Sequence, residues 1–173
     1  MTYYEIIQEF FLAAQAHHMI QDVGYGPISD IKTRSQNAKP EIASGGEVEG
    51  ADYPYMFLNP GQHSRSNASM TYTFNLIMMD MAWQEEPPGL NSGGVAGFSV
   101  TRYTNEAQVQ SQCQQYIDDI IGHMYFTRKY DISMNVNYTP FVERFQDSVA
   151  GMTATINITI PNAINECIAP FVQ

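Results

Sequence analysis

The chain has 173 residues, 44% of them hydrophobic, and sets 8 Lys+Arg against 18 Asp+Glu for a formal net charge of −10. That length suits one domain with a real core, since a chain of about 150 residues hides roughly two thirds of its unfolded surface. The acidic balance repels a phosphate backbone and speaks against general nucleic-acid binding. The one DNA relation it permits is a ring whose acidic walls reduce sticking to a passing duplex. No window of about 18 apolar residues offers a membrane span. Glu5 and Glu9 stand where a secretory leader carries positive charge and an apolar run. Cys113 and Cys167 lack metal-ligand or small-domain disulfide spacing and read as reduced, cytosolic thiols. A soluble protein that stays where it is made is expected.

Thr2 to Val23 predicts an amphipathic helix, with Tyr3, Ile6, Ile7, Phe10, Phe11, Ala14 and Met19 at three- and four-residue spacings and Gly24 as its stop. VGYGPISDI then reads as a turn and a short edge strand at Ile28 and Ile31. Lys32 to Asp52 is polar, punctuated by Gly and Pro and without periodicity; a loop so long is better suited to reaching a neighbour than to filling a core.

Tyr53 to Asn59 predicts a strand entered through Pro54. PGQHSRSNAS reads as the hairpin-like loop into Met70 to Met81, which makes the two strands antiparallel neighbours. In MTYTFNLIMMDM, Met70, Tyr72, Phe74, Leu76 and Met78 alternate with Thr71, Thr73 and Asn75 before Ile77, Met79 and Met81 make the second face apolar too. A strand of this pattern is central, and its apolar end needs a cover on both faces.

QEEPPGLNSGG, from Gln84 into the loop that ends at Gly97, reads as irregular, followed by a short strand at Phe98 to Val100. Thr104 suits a helix N-cap, and Val109, Cys113, Tyr116, Ile117, Ile120, Ile121 and Met124 form the stripe of a second helix, with Arg128 and Lys129 near its end. Ile132, Met134, Val136 and Tyr138 predict one more strand; Met152, Ala154, Ile156, Ile158 and Ile160 predict the last, ended by Pro161. TPFVERFQDSVAG between them reads as a short turn, and NAINECIAPFVQ as a tail whose Ile164, Ile168 and Phe171 dock elsewhere. The sum is a single α+β domain over 1–173. It is a two-layer sandwich with a mainly antiparallel four- to five-stranded sheet and two helices on one face, plus the arm at 32–52 and the loop at 84–97.

Candidate chemistry is sparse. His17 and His18 fall in the first helix, where adjacent side chains point about 100° apart and cannot share one metal; His63 and His123 stand elsewhere, so no metal site is assigned. Asp80, inside LIMMDMAW, is the most suggestive carboxylate, because a buried lone Asp has a raised pKa. The bland reading is a strand-end residue bonding local backbone. Glu85 and Glu86 suit a solvated loop tip. GGVAG at Gly93 to Gly97 lacks the lysine of a phosphate loop, no nucleophile motif accompanies the many hydroxyls, and the sequons at Asn67, Asn137 and Asn157 mean little without secretion. No catalytic residue and no cofactor is assigned. The surplus lies in contact-forming side chains: 10 Met, 11 Tyr and 9 Phe favour an assembly subunit.

DVGYGPISDI, YPYMFLNPGQHSRSNASMTYTFNLIMMD and TPFVERFQDSVAGMTATINITIPNAINECI together resemble tail-terminator, tail-completion or neck-ring proteins of tailed bacteriophages, those of Bacteroidetes hosts including crAss-like phages above all. The resemblance implies a virion protein made in the host cytoplasm. It would form a homo-oligomeric ring, hexameric or dodecameric, at the head-to-tail junction beside portal, adaptor or tail proteins, with DNA passing through the lumen without chemistry. The expected contact segments carry Lys32, Arg34, Glu47, Glu49 and Asp52 in the arm, Glu85 and Glu86 in the loop, and Ile168 and Phe171 in the tail. The alternatives are a small hydrolase or ligand-binding domain using Asp80 with a histidine, and a non-virion assembly factor.

Overall fold

The computed structural model describes residues 2–31, 52–85, 103–126, 130–144 and 148–161. Helix α1 (Tyr3–Ala16) opens with a capping box: Glu5 N–H donates to Thr2 Oγ1 at 3.3 Å and Thr2 N–H to Glu5 Oε2 at 2.6 Å. It ends sooner than its periodicity suggests, at an extended His17. Asp22 and Val23, predicted to continue it, instead open β1 (Asp22–Tyr25), which runs parallel to β2 (Tyr55–Arg65). Gly24 stops no helix. It lets β1 pass the Tyr55 ring, since a Cβ there would stand 2.1 Å from Tyr55 Oη.

The sheet is mixed and six-stranded, in the order β1-β2-β3-β8-β6, with β7 also on β8; the strands not yet named are β3 (Ser69–Met81), β6 (Asp131–Ile132), β7 (Asn137–Arg144) and β8 (Ser148–Pro161). β3 lies at its centre, as its two-sided apolar end requires, paired antiparallel with β2 and β8 along its length. Two predicted loops turn out to be strand. β2 continues through Pro60 to Arg65 because one extra residue is absorbed between Pro60↔Phe74 and His63↔Tyr72, three residues advancing on β2 against two on β3. TPFVER is most of β7 rather than a turn. Between Ile132↔Ile158 and Asn137↔Thr155 the outer strand advances five residues against three, and this bulge breaks the predicted alternation so that Met134 is 62% exposed.

A two-stranded ribbon pairs β4 (Gln84–Glu85) with β5 (Tyr103–Thr104), so the stretch after Trp83 begins as strand. Thr104 therefore belongs to β5, and the residue ahead of α2 (Glu106–Phe126) is Asn105, whose Oδ1 accepts from Trp83 N–H at 2.9 Å. Both helices cover one face of the sheet. Ile6, Phe10 and Ala14 of α1 and Val109, Cys113, Ile117, Ile120 and Met124 of α2 meet Met56, Leu58, Phe74, Leu76, Met78, Ala154, Ile156 and Ile158 in one core. Phe10 meets Phe74 edge-on at 5.4 Å between ring centres. The expected two-layer α+β sandwich is the architecture found.

Candidate interaction surface

The second face of the sheet carries the informative surface. Register places Tyr55, Phe57 and Asn59 of β2 beside Met79, Ile77 and Asn75 of β3, and those beside Gly151, Thr153 and Thr155 of β8. Thr73 and Thr71 continue the face opposite Asn157 and Thr159. On this face the three central strands bear no charged side chain in a protein of net charge −10.

The face has two halves. In the polar half, side chains bond one another across strands: Thr73 Oγ1 donates to Asn157 Oδ1 at 2.7 Å, Thr155 Oγ1 to Asn75 Oδ1 at 3.0 Å, and Asn75 Nδ2 to Asn59 Oδ1 at 3.3 Å. Asn59 Nδ2 then donates to the Gly26 carbonyl at 3.1 Å, and Thr71 and Thr159 hydroxyls lie 3.0 Å apart. These cross-strand pairs support the register.

In the apolar half, Tyr55, Phe57, Ile77 and Met79 form a second cluster, with Ile31, Tyr53 and Phe141 packed on it. The short 3-10 turn Ile28–Asp30 crosses one side and β7 borders the other, leaving a hollow of about 410 Å³. Ile28, Ile31, Ile77, Met79, Phe141 and Val149 line it, with Thr139, Thr153 and Glu143. Ile28 is 61% exposed, and Glu143 is exposed at the edge strand. The cover that the sequence of β3 requires comes from Ile31, Tyr53 and Phe141, which leave Ile77 and Met79 buried and only Met81 exposed.

The groups with chemical potential lie elsewhere. Asp80 faces the helix layer, where desolvation raises its carboxyl pKa above the ordinary value, while its bond from Met81 N–H at 2.7 Å pulls the other way. That local bond is the strand-end reading of Asp80, and no histidine bonds to it among the described residues. His17, placed at the helix end rather than inside α1, stacks on His18 at 5.4 Å and reaches Asp119 Oδ2 with Nε2 at 3.3 Å. His63 sits between the Tyr3 and Tyr72 rings at 4.7 and 5.1 Å. Cys113 is buried, and burial followed by the Asp80 charge pushes its thiol up to about 12. Tyr138 Oη donates to Asp118 Oδ1, and burial with that bond holds the phenol well above its usual value. Among the described residues no three His, Cys, Asp or Glu side chains group as metal ligands, and no helix is long and apolar enough to cross a membrane.

Of the expected contact residues, Asp52 is exposed at the approach to β2 and Glu85 lies in β4. Lys32, Arg34, Glu47, Glu49, Glu86, Ile168 and Phe171 lie outside the described residues, as do Arg128, Lys129, Cys167, GGVAG and the strand predicted at Phe98 to Val100. The hollow itself went unread in the sequence. Tyr55-x-Phe57 alternating with Met56 and Leu58 signals a strand apolar on both faces, which points to it; Ile28 and Ile31, expected in an edge strand, and Phe141, expected in a turn, line it instead. No family model and no curated protein matches the chain.

Proposed function

We propose that this chain is a structural virion protein. It is a subunit of a homo-oligomeric ring at the head-to-tail junction of a tailed bacteriophage, in the neck or as tail terminator, joining portal or adaptor to tail. The observation that carries the reading is the second sheet face: uncharged along its three central strands, with an apolar hollow over a buried cluster at one end, within an acidic two-layer domain. An apolar hollow with an exposed Ile28 on its rim is a place where another surface can fit. Like-charged copies meet at least electrostatic cost where neither presents charge. The segments that resemble neck and tail-terminator proteins are the segments that build this face, namely β1 with the 3-10 turn, the β2–β3 hairpin and the β7–β8 hairpin. DNA passing such a ring meets uncharged or acidic protein, which neither grips nor reads it.

The test is proteomic. Tailed particles purified from the producing host should contain this chain at a few to a dozen copies each, beside portal and tail proteins. Particles of full infectivity that lack it, with the chain left in the soluble lysate, would contradict the reading and favour a non-virion assembly factor.

A further inference from the structure

Phe126 is the most exposed large apolar side chain among the described residues, at 77%, and Tyr125 beside it is 45% exposed. Their ring centres stand 5.8 Å apart with 78° between the planes, an exposed aromatic corner. The corner walls a second cavity, of about 690 Å³, between the C-terminal end of α2 and the strand ends where β3 begins and β8 stops. Tyr130 and Asp131 line it from the start of β6, and Ser69 and Thr159 border it.

The chemistry of this cavity is one-sided. Asp131 is the only charged side chain among its described lining residues; it is exposed, and it makes no ion pair or side-chain hydrogen bond with a described residue. The two hydroxyls are engaged, Ser69 Oγ with Ser66 Oγ at 2.9 Å and Thr159 Oγ1 with Thr71 Oγ1 at 3.0 Å. α2 ends on Phe126 with no Lys or Arg in its last turn, so the negative end of its dipole lies at the same place. Aromatic faces carry negative potential as well. A carboxylate, a helix C-terminus and aromatic rings all attract positive charge, in a protein whose net charge of −10 draws cations from a distance.

The geometry points to a binding site for a guanidinium group. Guanidinium is flat and weakly hydrated, so it stacks on an aromatic ring while its N–H fork meets a carboxylate; an ammonium gives up more hydration to do the same. A sugar also stacks on aromatic rings, but it needs several polar partners, and here the hydroxyls bond neighbouring side chains and Asp131 stands alone. The cavity lies at the Thr159 end of β8 and the apolar hollow at the Val149 end, so the two sites are separate, and this one does not depend on the ring reading.

NMR titration of the Tyr125 and Phe126 ring resonances tests it with N-butylguanidinium and its uncharged isostere N-butylurea. The guanidinium should bind with about millimolar affinity, the scale for a fragment of about eight heavy atoms, and the urea at least about 10-fold more weakly. Asp131→Asn and Phe126→Ala change exposed positions, so folding is not at risk; each should weaken guanidinium binding about three-fold or more, as expected for one exposed ion pair or one cation–π contact. Tighter binding of N-acetylarginine methylamide than of agmatine assigns the site to an arginine on a partner chain, and the reverse to a free guanidinium compound. Equal binding of the urea, or binding of methyl glucoside in place of guanidinium, overturns the inference. So does wild-type affinity in both variants, which places the ligand elsewhere. Arg128 and Lys129 stand between Phe126 and Tyr130 in the sequence; binding that appears only in the Arg128→Ala, Lys129→Ala double variant means that the chain's own cations hold the site, and no binding in either protein means that there is no site.

Discussion

Gly151 of β8 lies beneath the ring of Phe141 on β7: a Cβ built on Gly151 would stand 2.6 Å from Phe141 Cζ and 2.2 Å from the Met78 carbonyl oxygen. Phe141, in the wall of the hollow, therefore closes down over bare backbone because β8 carries no side chain at this crossing. Gly151→Ala should lower stability by about 1–3 kcal/mol through overpacking against atoms that have no room to move. It should also enlarge the opening under Phe141. Urea unfolding followed by far-ultraviolet dichroism measures the loss, and an unchanged midpoint would contradict the close approach.

The polar half of the same face makes an independent prediction. Asn75 accepts from Thr155 and donates to Asn59, so Asn75→Ala strands both partners in a part-buried row. A cost of about 1–3 kcal/mol is expected, the penalty for unsatisfied buried polar groups. Thr155→Val removes one donor of that row and should cost less; equal losses would show that the row is not coupled through Asn75.

Asp80 gives a pH dependence of definite sign. Its folded pKa is raised, so the ionised form is disfavoured in the native state and the penalty is present in full above the folded pKa. As pH falls through that value toward the unfolded one, Asp80 contributes rising stability. Asp80→Asn keeps an oxygen for Met81 N–H and removes the charge. It should be more stable than wild type at pH 7, with the difference shrinking toward pH 4. A gap that widens on acidification would contradict the assignment.

Thiol chemistry reports on the core beneath. With Cys113 buried and its thiol pushed up to about 12, the Cys167→Ser variant should show no fast-reacting thiol at pH 8. Labelling should appear only across the urea transition. Rapid labelling of the folded variant would mean that α2 is not seated on the sheet as described.

Long, strongly periodic segments were legible in the sequence, and interruptions of period were not. The stripe from Val109 to Met124 and the alternation from Met152 to Ile160 each specify an element and its buried face, because burial on one side dictates residue type at every repeat. β1 was hidden because four residues after a helical stripe carry too little pattern, and its strand state is decided by hydrogen bonds offered by Tyr55 to Leu58. Bulges at Pro60 to His63 and Ile132 to Asn137 shift the side-chain period, so residues on either side stop agreeing about which face is wet. The hollow was only half legible for a different reason: Ile28, Ile77, Phe141 and Val149 come from separate parts of the chain, and tertiary structure alone brings them together. What the sequence did announce, through Ile77 and Met79 on the second face of β3, was that something must lie there.

Native mass spectrometry of the purified wild-type protein tests the central claim most directly. A ring subunit that joins head to tail should appear as one closed species, hexamer or dodecamer, whose size does not grow with concentration. A chain that stays monomeric at every concentration, or a two-fold dimer that never exceeds two copies, would contradict the account.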